Sequence, residues 1–286
     1  HRDLHSFPTR RSSDLKVGFT GGEIFLHPSF LLPAVRQARR LGLIFTFITT
    51  NAVWFKDKKG LVTMLDALSL AGYDGSFFVS IDAFHQASLH KAVLFVKEAM
   101  RIWQRPDIVS FAYVWGVKEK ETRARLRQVA RLLKVRGSGS LSKGTFCLKN
   151  ETCVIRTFKV PFSAARGKQW IRDPWQDRQW FQEDYCQGPG NVLFVLPDGT
   201  VKPCCGYGSH SSGLTLGNIQ KDPVRSILAH ASGNCLVQTI FSQGLTSLRD
   251  RLHRKGIVFP GKTKDQCAFC EYIQINHFPA IFFKKP

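Results

Sequence analysis

Thr20 to Ala52 reads TGGEIFLHPSFLLPAVRQARRLGLIFTFITTNA, and its punctuation decides the fold. KVGFT ahead of it is a short apolar run, and the glycine pair Gly21-Gly22 ends that run. PSFLLPAVRQARRLG then carries apolar residues at helical spacing and stops at Gly42. LIFTFITT is β-branched and aromatic, bounded by Asn51. This is strand, helix, strand, with short connections.

The same rhythm continues downstream. LVTMLDALSLAG and HQASLHKAVLFVKEAMRIWQ read as helices, SFFVSID and DIVSFAYVW as strands, KEKETRARLRQVARLLKVRG as helix and TCVIRTFKVPF as a further strand. RGSGSLSKG, between Arg136 and Gly144, reads as a flexible connector. Strands that are nearly continuous apolar runs, separated by helices, predict a parallel sheet covered by helices. After about residue 180 the text changes. NVLFVLPDGTVKPCC reads as a hairpin with a Pro-Asp-Gly turn, a helix follows near DPVRSILAHA, and a cysteine pair comes last.

Composition narrows the function. A hydrophobic content of 43% over 286 residues supplies a packed core and excludes a disordered chain. No run of eighteen apolar residues occurs, so no membrane span is expected. The net charge of +20 favours an acidic partner, but the basic residues are scattered along helices and lack interleaved aromatics. That pattern is a solvated helix face first and a substrate-docking surface second, and it argues against nucleic acid. The eight cysteines include paired spacings that favour a metal scaffold over disulfides, which implies a reducing, cytoplasmic setting.

Ligands of parallel α/β sheets sit beyond the C-terminal ends of the strands, so the residues there are the candidates. They are Gly21, Gly22 and Glu23 in TGGE, Asn51 in TTNA, and Ser80 and Asp82 in SIDAFH. Two glycines admit close backbone approach, a carboxylate accepts from an ammonium, and an amide, hydroxyl and second carboxylate suit ribose hydroxyls. Each alone is more often a turn or cap residue.

In the second half, Cys186 and Cys204 flank the hairpin and Cys267 and Cys270 form a Cys-x2-Cys knuckle. Four thiolates so presented suit zinc or an iron–sulfur cluster, and spacing does not separate the two. Cys205 adjoins a candidate ligand and is held as a spare. Cys147, Cys153 and Cys235 read as small buried residues.

The order of strand-end elements resembles the radical S-adenosylmethionine superfamily. The resemblance covers Lys16 to Phe162 and implies a partial parallel (β/α)6 TIM-like barrel, here without its first strand. It implies that Gly21, Gly22 and Glu23 face the methionine amino group of S-adenosylmethionine, with Asn51, Ser80 and Asp82 near the rest of that cofactor. CQGPGNVLFVLPDGTVKPCC and LGNIQKDPVRSIL look like the C-terminal auxiliary-cluster domains called SPASM or, when shortened, twitch. On that resemblance, Cys186, Cys204, Cys267 and Cys270 ligate one auxiliary [4Fe–4S] cluster. The implied activity is generation of a 5′-deoxyadenosyl radical that abstracts hydrogen from a peptide, protein or small-molecule substrate, with flavodoxin or ferredoxin as electron donor. The basic balance and the aromatic stretch Trp170 to Phe181 lean toward a peptide.

One departure stands out: no Cys-x3-Cys-x2-Cys spacing occurs in the chain. Residues 1–15, HRDLHSFPTRRSSDL, resemble a widely used short-read sequencing adapter when read back into codons, and they are treated as an assembly scar. The expectation is an N-terminally truncated chain whose cluster loop and second [4Fe–4S] cluster belong upstream of Lys16, and which is inactive as written. The expected domains are 16–180, the barrel, and 181–286, the auxiliary iron–sulfur domain. The alternative is a cluster-deficient or zinc-bearing, non-catalytic binding protein. A zinc-bearing binder accounts for the paired cysteines and the charge but leaves TGGE, TTNA and SID unexplained.

Overall fold

The structure, a computed structural model, describes residues 15–84, 88–114, 118–142, 146–151, 153–160, 173–182, 186, 191–204 and 212–276. The expectations for residues 1–14, Cys205 and Trp170 lie outside these. The chain divides into two compact units between Phe162 and Ser163.

The first unit strings together β1 (Lys16–Phe19), α1 (Pro28–Arg40), β2 (Ile44–Thr50), α2 (Lys58–Leu70), β3 (Ser76–Ser80), α3 (Leu89–Trp103), β4 (Val109–Val114) and α4 (Glu119–Leu133). Three strands then follow: β5 (Arg136–Ser138), β6 (Cys147–Lys149) and β7 (Val154–Val160). All seven form one sheet in the order β1-β2-β3-β4-β7-β6-β5. The first five neighbours are parallel, while β6 and β5 are antiparallel.

The helices form where their apolar stripes say they should. On α1 the buried positions are Leu31, Val35 and Ala38, spaced four and three apart. Pro28 opens that helix, where its missing N–H costs nothing. Gly42 takes the left-handed conformation just past its end, with φ +69°. Asp57 caps α2, its side chain accepting the Gly60 N–H at 2.8 Å. Between helices and sheet lies an aromatic lattice: Phe77 meets Phe95 edge-on at 5.2 Å and Trp103 at 5.2 Å.

The expected architecture stands in coarse form, as an α/β unit with a mostly parallel sheet. The partial barrel is not shown: among the described residues the sheet is open, running from β1 to β5 without closure. The RGSGSLSKG connector supplies a strand of its own. It is not merely a link, because Arg136–Ser138 pairs as β5 with β6 and turns the far side of the sheet antiparallel.

The second unit carries β8 (Phe194–Val195), β9 (Thr200–Lys202) and β10 (Gly217–Asn218), then α5 (Val224–Gly233), α6 (Cys235–Ser242), α7 (Gly244–Arg254) and α8 (Gln266–Asn276). The strands form an antiparallel sheet in the order β10-β9-β8. The Pro-Asp-Gly turn closes as read: Gly199 adopts φ +81° and Asp198 accepts the Thr200 N–H at 2.9 Å. One core gathers Phe181, Leu236, Leu248, Leu252, Phe269 and Ile273, and a smaller one under β9 gathers Val201, Leu216, Ile227 and Ala231. The sequence boundary at residue 180 lies inside this unit. Among the described residues no helix is long and apolar enough to cross a membrane.

Candidate functional site

Parallel pairing places the C-terminal ends of β1 to β4 along one edge of the first sheet. Glu23 follows β1, Asn51 follows β2, and Ser80 and Asp82 stand at and just after the end of β3. Glu23 is the centre of a small network. Thr50 Oγ1 donates to its carboxylate at 2.9 and 3.0 Å, and the Asn51 N–H donates at 2.9 Å. Burial holds the Glu23 carboxyl above its ordinary range, against the opposing bonds from Asn51, Thr50 and the Phe25 backbone.

Asn51 and Thr50 also shape the chain that leaves β2. The Asn51 side-chain oxygen accepts the Val53 N–H at 3.0 Å, and Thr50 Oγ1 accepts the Ala52 N–H at 3.0 Å. These bonds hold Ala52 at φ +55°, a conformation a non-glycine residue adopts only when its surroundings impose it. Gly21, at φ +112°, and Gly22 have open space where a side chain would stand. The backbone there is accessible to a ligand.

Ser80 and Asp82 are buried, at 7% and 2% exposure. Asp82 accepts the Phe84 N–H at 2.9 Å. Arg125 of α4 donates from Nε to the Ile81 carbonyl at 2.9 Å; burial lowers its pKa and the Asp82 charge opposes that. The edge therefore presents two carboxylates, an amide and a guanidinium, suited to a small polar ligand with an amine and hydroxyls.

In the second unit, Cys204 lies two residues past β9, and Cys267 and Cys270 are the second and fifth residues of α8. The knuckle expected for the latter pair is instead helix, which puts both thiols on one face. Asp265 caps that helix, accepting the N–H groups of Cys267 at 2.8 Å and Ala268 at 3.2 Å. Burial pushes the Cys270 thiol far up, and Cys204, Cys186 and Cys267 each add to the push. Cys186, Cys204 and Cys267 thus lie near enough to Cys270 to act on its charge. They are not drawn to ligating geometry: among the described residues no group of three or more such side chains stands ready to hold a metal.

The surroundings suit a soft, half-buried centre. Cys204, Cys186 and Cys270 pack with Phe181, Phe269 and Ile273. Beyond them Trp180 stands edge-on to Phe269 at 6.0 Å, and Arg249 lies 5.4 Å from the Trp180 ring. Gln274 donates to Cys270 Sγ at 3.3 Å, while its side-chain oxygen is buried without a partner among the described residues. Lys202, 5% exposed, donates to Thr215 Oγ1 at 2.7 Å; burial lowers its pKa, and Cys204 and Asp198 oppose this. Sulfur donors inside an apolar wall with nearby N–H groups are the setting of an iron–sulfur cluster.

Sequence reading missed Thr50, Arg125, Lys202 and Gln274, and the first three bond to partners 27, 44 and 13 residues away. Gln274 alone had a local signal, standing four residues after Cys270 on one helix face.

Comparison with known families agrees with this chemistry. Residues 186–255 match SPASM, an iron-sulfur cluster-binding domain. The match supports iron–sulfur binding by the second unit. It includes Cys186, Cys204 and the β-sheet, and it ends before Cys267 and Cys270. No curated protein matches the chain.

Proposed function

We propose that the protein is a radical S-adenosylmethionine enzyme whose second unit binds an auxiliary [4Fe–4S] cluster through Cys186, Cys204, Cys267 and Cys270. The observation that carries this reading is the match of residues 186–255 to an iron–sulfur cluster-binding domain, in a unit whose core packs Cys186, Cys204 and Cys270 together. SPASM domains commonly accompany radical S-adenosylmethionine enzymes, in which the cofactor supplies a radical that removes hydrogen from the substrate.

In this reading Glu23, oriented by Thr50 and Asn51, receives the amino group of the cofactor, and Gly21 and Gly22 let its chain approach. Ser80 and Asp82 receive hydroxyls. The apolar wall of Phe181, Phe269 and Ile273 shields one side of the cysteines from water. The substrate is a peptide, protein or small molecule, the electron donor a flavodoxin or ferredoxin, and the setting cytoplasmic.

The test has two arms, one for each unit. Anaerobic reconstitution with iron and sulfide should give a brown protein with about four irons per chain. Zinc in place of iron would sink the cluster reading and favour the zinc-bearing binder. Equilibrium dialysis with labelled S-adenosylmethionine should show binding that Glu23→Gln and Asn51→Ala weaken. Absence of binding would remove the cofactor reading and leave the cluster reading intact.

A further inference from the structure

A groove of about 590 Å³ lies in the first unit between α4 and the β5–β6 hairpin. One wall is a row of arginines. Arg123, Arg127 and Arg131 recur every fourth residue of α4, all exposed, and all line the groove. The floor is apolar: Leu126, Leu141 and Leu148 are buried, at 1%, 4% and 0% exposure. The opposite side is β5, the last strand of the sheet, whose three residues are exposed. No Asp or Glu lines the groove among the described residues.

Gly137 keeps this space open. A side chain there would stand 2.5 Å from the Phe146 ring, so only glycine lets that ring lie against β5 as part of the lining. The hydroxyls of Ser140 and Ser142, 3.0 Å apart, line the groove beside it.

We propose that this groove docks an extended peptide segment bearing acidic side chains at alternate positions. Spacing selects that occupant. Residues four apart on a helix are about 6 Å apart along its axis. Alternate side chains of an extended chain lie about 6.6 Å apart. Three arginines in a row thus match three carboxylates on one side of a strand, and the residues between them point the other way, toward the hairpin side where Leu141, Phe146 and Leu148 line the groove. Arginine's planar fork suits carboxylates in particular. The last strand of the sheet gives the segment a backbone to lie along. A nucleic acid would use the arginines but has no counterpart for an aliphatic floor. The inference rests on residues 123–142 and 146–148 and is independent of any cluster or cofactor.

Fluorescence anisotropy on the intact chain tests it, with the labelled peptide Gly-Glu-Val-Glu-Val-Glu-Gly as probe. The peptide should bind and weaken as salt rises. The exposed double substitution Arg127→Glu/Arg131→Glu should reduce affinity at least about tenfold with an unchanged circular dichroism spectrum. Serine in place of the probe's valines should also weaken binding, and lysine in place of its glutamates should abolish it. The proposal is overturned by any of four results: no binding, binding indifferent to the double substitution, equal binding of the serine peptide, or equally tight arginine-dependent binding of single-stranded oligouridylate.

Discussion

Thr50 and Glu23, 27 residues apart in sequence, are joined by a hydroxyl that lies 2.9 and 3.0 Å from the two carboxylate oxygens. This bond favours the charged form of a group that burial pushes toward neutrality. Thr50→Val should therefore move the Glu23 carboxyl further above its ordinary range, as read by carbon-detected NMR titration. The loss of a bond to a carboxylate should cost roughly 1.5–3 kcal/mol in a urea melt.

Glu23 also sets the sign of one pH dependence. Its pKa is raised by burial, so the folded unit keeps a proton that the unfolded chain has released. Between the ordinary carboxylate value and the raised one, the folded state binds more protons, and stability falls as pH rises. Glu23→Gln should flatten that segment of the stability curve. An unchanged slope would show that another group carries it.

Glu98 should act in the opposite sense. Burial would raise its pKa, but Lys58 at 2.8 Å and Arg101 at 2.7 Å outweigh burial and hold it below the ordinary range. Its contribution is present above the unfolded value and is lost as pH falls through the lowered folded one. Both partners are more than half exposed, so solvent screens them and Glu98→Gln should cost only about 1 kcal/mol at neutral pH. The acid-side loss, followed by denaturant midpoints below about pH 4, should shrink with it.

How much of this could be read beforehand depended on the range of the signal. The helices and parallel strands of the first unit were legible because apolar periodicity is local, as at Leu31, Val35 and Ala38. β5 was not, because Arg136-Gly137-Ser138 has no apolar alternation and becomes strand only through pairing with β6. Strand-end residues such as Asn51 could be located from the strands themselves. That Thr50 bonds Glu23 follows from the register setting Phe19 beside Ile48, which nothing near either residue announces. Cys267 and Cys270 were read as a knuckle because the Cys-x2-Cys spacing drew attention from the helical spacing of the apolar residues after it.

In the second unit, Ala substitution at Cys186, Cys204, Cys267 or Cys270 should lower iron retained after reconstitution and lower the melting temperature of the loaded protein. Cys147→Ala should do neither. Full iron retention in the Cys267 and Cys270 variants would confine the ligands to the segment matching SPASM.

Gly199→Ala tests the hairpin that presents Cys204. At φ +81° a side chain costs about 1–2 kcal/mol. The new Cβ would also stand 2.8 Å from Asn218 Oδ1, which is held by the Gln220 N–H. A drop in thermal stability of several degrees is expected. No drop would mean that the turn rearranges.

The strand order of the first sheet bears on how the protein is made. Each of β1 to β3 lies beside the strand that leaves the ribosome next, after a single helix, so the sheet can grow in the order of synthesis. The exception is the seam between β4 and β7: β4 ends at Val114 and β7 begins at Val154, with α4, β5 and β6 between them. That seam closes the longest loop of any pairing in the sheet and has to wait for the most chain. A nascent chain stalled before residue 154 would expose the edge of β4, and at that stage the growing sheet is most open to a wrong neighbour.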